Sequence, residues 1–110
     1  MASSIQESMI KQITRSDELP SKGPTLLYLY NAMSVIPISS MDKIVRKNPT
    51  IQFVKTDVGV PSEIYDEYSV GRVPAFMFLN DGILLWSYLG TDIKYLATQL
   101  ASFSPITKTS

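Results

Sequence analysis

Val73-Pro74-Ala75-Phe76-Met77-Phe78-Leu79-Asn80-Asp81-Gly82-Ile83-Leu84-Leu85-Trp86-Ser87-Tyr88-Leu89-Gly90 is the stretch on which the fold turns. Two apolar runs flank Asp81-Gly82, a dipeptide that accepts the positive φ angles of a tight hairpin. An antiparallel strand pair is therefore expected, led by a proline. Upstream, residues 25–30 form a short apolar, aromatic-rich run between Gly23-Pro24 and Asn31, which reads as a buried central strand. Residues 35–47 place Pro37, Ile38, Met41, Ile44 and Val45 at helical spacing, with Ser39, Asp42, Lys43 and Arg46 opposite. Pro37 stands in the first turn, where its missing N–H costs nothing, and Asn48-Pro49 stops the helix. A second strand is expected over 51–56, closing on Asp57. Pro61-Ser62-Glu63 then opens a short helix with Ile64, Tyr65 and Tyr68 available for burial. Beyond the hairpin, Thr91 is the expected cap of a last helix, with Ile93, Leu96, Ala97, Leu100 and Phe103 on one face.

From residue 25 the order is strand, helix, strand, helix, hairpin, helix. A strand–helix–strand unit implies a parallel pair, and the hairpin adds antiparallel strands. The expected class is α/β, a mixed sheet of four to five strands with helices on both faces. The opening segment is ambiguous. Ile5, Met9 and Ile13 suit a helix, whereas residues 9–14 also suit an edge strand leading into the capped turn Ser16-Asp17-Glu18-Leu19. One domain over 9–103 is expected, with a flexible start over 1–8 and a flexible tail over 104–110.

Composition narrows the chemistry. The 110 residues hold no cysteine and no histidine, and ten basic side chains balance ten acidic ones. Without thiols there is no disulfide, no thiolate nucleophile and no cysteine-held metal. Without imidazole the commonest general base and metal ligand is gone as well. A balanced charge offers no broad field for nucleic acid or anionic lipid. No apolar run approaches the roughly 20 residues of a membrane span, and no basic-then-apolar leader opens the chain, so a cytoplasmic setting is expected.

Several motifs together resemble the thioredoxin superfamily over about residues 25–103. Gly71-Arg72-Val73-Pro74-Ala75-Phe76 is similar to the family's Gly-x-(Ile/Val)-Pro-Thr segment, whose proline is cis and faces the redox site. Phe78-Leu79-Asn80-Asp81-Gly82 is similar to its phenylalanine-rich strand and Asn-Gly turn. Leu89-Gly90 stands where the family has Val-Gly, and Asp57 resembles the aspartate at its strand exit. The redox motif departs from the pattern. Aligned on Pro37, Ser34-Val35-Ile36-Pro37-Ile38 replaces Trp-Cys-Gly-Pro-Cys, so Val35 and Ile38 stand for the two cysteines. A register slipped by one residue, with Ser34 and Pro37 at those positions, stays open. The family's buried proton-carrying aspartate becomes Leu29, or Tyr28 in the slipped register.

The resemblance implies a redox-inactive thioredoxin-like protein that is not an enzyme. It would bind another protein or peptide through the loop Met33, Ser34, Val35, Ile36, Pro37 and Ile38 and the face of Val73, Pro74 and Leu89. In the family the residue before the cis-proline pairs through its backbone with an extended peptide, a role falling here to Val73 and needing no sulfur. Two alternatives stand beside it. Ser34 and the helix N-terminus suit a glutathione- or anion-binding relative, though as a plain N-cap Ser34 needs no ligand. Met33, Val35 and Ile36 could equally turn inward and pack, leaving a purely structural subunit. Lys43, Arg46 and Lys47 complement a helix C-terminus, and Glu63, Asp66 and Glu67 read as a solvated face. No cofactor and no metal are expected, nucleic acid and membrane are not expected as partners, and a homodimer is left open.

Overall fold

In the computed structural model the described residues are 10–31, 38–59 and 74–103. Strands β1 (Ile10–Gln12), β2 (Pro24–Tyr30), β3 (Gln52–Asp57), β4 (Ala75–Asn80) and β5 (Ile83–Leu89) form one sheet in the order β1-β3-β2-β4-β5. Helix α1 (Ile38–Lys47) joins β2 to the parallel β3, and α2 (Ile93–Ser102) follows β5. β1 pairs parallel with β3, and β4 runs antiparallel to both β2 and β5, so the sheet is mixed, as expected. The ambiguity at the start resolves as a strand: Ile10 to Gln12 pair with Phe53 to Lys55. A single 3-10 turn, Ser16–Glu18, follows. The Glu18 carboxylate accepts the N–H groups of Thr14 and Arg15 at 3.0 Å each, which holds its pKa below the ordinary glutamate value.

β2 is central because it is apolar on both sides. Leu26 and Tyr28 point one way, joining Phe53, Phe76 and Phe78 beneath Met41, Ile44 and Val45 of α1 and Leu96 and Leu100 of α2. Leu27 and Leu29 point the other way, into a second cluster with Ile13, Val54, Ala75, Met77 and Leu79. Both described helices thus lie on one face; the helix expected to open at Pro61 lies outside the described residues. α1 shows the spacing read from sequence, with Lys43, Arg46 and Lys47 exposed and Arg46 bonded to Asp42 at 2.7 Å. Asn48 ends it by donating its side-chain amide to the Ile44 carbonyl at 2.8 Å.

The hairpin forms as its sequence demands. Asp81 and Gly82 take φ of 53° and 80°, the paired positive angles of a type I′ turn. Asp81 also accepts the Gly23 N–H at 2.8 Å, pinning the turn to the entry of β2. The cap of α2 differs from expectation. Asp92 rather than Thr91 is the N-cap, accepting the Tyr95 N–H at 3.0 Å. The backbone leaving Gly90 delivers the carboxylate, one residue later, to the first turn.

Candidate functional site

β4 runs against its four companions, so its first residue meets the last residues of β2, β3 and β5 along one margin of the sheet. Strand-to-helix connections at such carboxyl ends are where open α/β sheets present their sites. Pro74 stands there, buried, and its carbonyl accepts the Gly90 N–H at 3.1 Å. Ala75 pairs with Leu29 on one side and Leu89 on the other. Leu89 is 43% exposed, an apolar side chain left in solvent beside a closed proline. On the far side of the margin, the Tyr30 carbonyl accepts the Val58 N–H at 2.7 Å, and Asp57 accepts the Gly59 N–H at 2.8 Å. Tyr30 donates its hydroxyl to Gln12 at 3.0 Å, and the Lys55 ammonium lies 5.9 Å from its ring centre.

Gly90 was recognisable as a motif residue, but its mechanical role was not. Its φ is 155°, and a Cβ there would come within 2.6 Å of the Tyr88 hydroxyl. That hydroxyl accepts the Asp92 N–H at 3.1 Å, and the Tyr88 ring meets Tyr95 at 4.7 Å. One glycine therefore ties the Pro74 segment, the end of β5 and the entry of α2 together. The signal in the sequence was a glycine directly after a strand and two residues before a capping aspartate.

Neither register of the degenerate motif places an acidic side chain beneath this margin. Leu29 is fully buried among Leu27, Val54, Ala75 and Met77. Tyr28 faces the other way, stacked between Tyr30 at 5.2 Å and Phe76 at 5.0 Å. Neither position offers a carboxylate to accept a proton. Of the residues expected at the site, Pro74 and Leu89 are brought to the same margin, and Ile38 is the first residue of α1. Met33, Ser34, Val35, Ile36, Pro37 and Val73 lie outside the described residues, and so does the expected cis geometry of Val73-Pro74. Among the described residues no cluster of acidic side chains could hold a metal, and no helix is long and apolar enough to cross a membrane.

This sheet order, with a proline leading the antiparallel hairpin, one helix in the crossover and another after the hairpin, has close counterparts among solved structures. Mitochondrial thioredoxin 3 of Saccharomyces cerevisiae superposes with a TM-score of 0.76 at 21% identity, over 88% of this chain and 98% of that one. The fold is that of thioredoxin. Thioredoxin of Trypanosoma brucei brucei gives a TM-score of 0.77 at 20% identity, over 87% and 91% of the two chains. A cysteine-to-serine mutant of Entamoeba histolytica thioredoxin gives 0.75 at 22%, over 84% and 98%. No family model and no curated protein matches the chain by sequence. The thioredoxin fold is here built without a single cysteine, so the dithiol exchange that two thiols perform has no atoms to run on.

Proposed function

We propose that the chain is a redox-inactive thioredoxin-like module that binds an extended segment of another protein. The loop Met33-Ser34-Val35-Ile36-Pro37-Ile38, the Val73-Pro74 edge and Leu89 form its contact. The observation that supports this most is Leu89, exposed at the margin where thioredoxins carry their site, over an interior closed by Leu29, Pro74 and Ala75. The frame survives while both sulfur and proton acceptor are gone, and main-chain pairing at Val73 requires neither. Binding by strand addition draws affinity from backbone hydrogen bonds and preference from nearby side chains. Each aliphatic side chain buried against a partner contributes about 1.5–3 kcal/mol before the costs of association. The chain acts in this reading by contact rather than catalysis.

The test is the pair of substitutions Val35→Asp and Ile36→Lys, which leaves the formal charge unchanged while making the loop polar. Partners captured from native lysate by the wild type should be lost from the folded variant, an affinity drop of about tenfold for each 1.4 kcal/mol removed. Retention of every partner by a folded variant would move the binding face elsewhere. Unfolding of the variant would mark these residues as core and favour a structural subunit. Insulin reduction should be absent throughout.

A further inference from the structure

The two edges of the sheet are unlike. β1 is three residues long and carries the exposed Lys11 and Gln12, the kind of short, charged edge that resists pairing. β5 is seven residues long, Ile-Leu-Leu-Trp-Ser-Tyr-Leu, without one charged side chain. Among the described residues its outer backbone has no neighbouring strand. Ile83, Leu84, Leu85 and Leu89 are 66, 44, 47 and 43% exposed. The register against β4 shifts between Phe78 and Leu79, leaving Leu85 without a residue opposite. Bulges ordinarily guard an edge, but the residue this one presents is a leucine.

Apolar side chains flank this edge on both faces. On the helix face stand Trp86 and Tyr88, opposite Phe78 and Phe76, with Tyr95 of α2 leaning against both at 6.4 and 4.7 Å. On the other face stand Leu84 and Leu89, opposite Leu79 and Ala75. A strand added here would meet apolar neighbours above and below, so it must itself be uncharged on both faces. β5 meets that requirement. A strand without charges also faces no like charge when it pairs with its own copy, and the chain as a whole has zero formal charge to hold copies apart.

We propose that the chain forms a two-fold homodimer in which β5 pairs antiparallel with β5 of a second copy, joining two five-stranded sheets into one. Such an interface is isologous, the same patch serving both partners. The contact rests on one pair of seven-residue strands, well short of the roughly 20–30 residues a side of a standard stable interface. The dimer should therefore dissociate on dilution through the micromolar range.

Sedimentation equilibrium of the full chain over a wide concentration range tests this. The wild type should pass from monomer to dimer. Leu85→Lys and, separately, Leu85→Glu should weaken self-association by about tenfold or more, with thermal unfolding of the monomer unchanged. Using both signs of charge separates loss of strand pairing from a simple attraction. Should the variants fail to fold, hydrogen exchange on the wild type decides: the amides of Ile83–Leu89 should slow as concentration rises, and those of Ile10–Gln12 should not. A wild type that stays monomeric overturns the proposal and leaves the edge to a strand of another protein. A dimer indifferent to both substitutions, or β5 amides indifferent to concentration, overturns it as well.

Discussion

Gly90 concentrates the constraints that hold the site margin together. Its N–H bonds the Pro74 carbonyl, its φ of 155° suits only glycine, and a Cβ would press on a Tyr88 ring already fixed by Asp92 and Tyr95. Gly90→Ala should destabilise the fold by about 1–3 kcal/mol, the range for backbone held in a disfavoured region. Gly82 is the informative contrast. It also has positive φ, at 80°, but nothing lies within 4 Å of a Cβ there. Gly82→Ala meets the backbone penalty alone and should cost less. Urea unfolding of both variants checks the order, and equal losses would show that the Tyr88 contact relaxes freely.

Two elements illustrate how much the sequence could disclose. The hairpin was legible because Asp81-Gly82 between apolar runs admits few other structures, and both residues adopt the angles that this requires. α2 was legible on its buried side, where Leu96 and Leu100 close the core. Its start was misplaced by one residue because threonine and aspartate both cap helices and stand side by side at 91 and 92. Only the backbone path after Gly90 decides between them. Asp92→Ala should therefore cost about 0.5–2 kcal/mol, as loss of a working N-cap does, whereas Thr91→Ala should cost little; the two melting curves separate the assignments. The edge position of β5 was not legible. Periodicity identifies a strand but not its place in the sheet order, so a run of apolar residues looks equally like a central strand. Leu89 and Pro74, which meet at one margin of the sheet, were singled out through motif resemblance, not through any pattern of burial.

At the scale of the molecule, the missing thiols leave methionine sulfur as the readiest target of mild oxidants. Met41 and Met77 are 3 and 4% exposed, one in each of the two clusters that cover the opposite faces of the sheet. Met77 belongs to the central strand β4 and Met41 to α1, seated on the face that β2 and β4 help build, so both sulfurs stay covered while the sheet and its helix layer hold together. Oxidation of these two residues by dilute peroxide should consequently track global opening rather than local fraying. It should be slow in buffer, should accelerate together at both positions as urea approaches the unfolding midpoint, and should be read by peptide mass spectrometry. Dithiothreitol should leave the melting temperature where it was, since the chain contains no bond for it to reduce. A rate at Met77 that rises at urea concentrations leaving Met41 untouched would mean that the two faces open separately. The shared central strands would then not make the sheet a single cooperative unit.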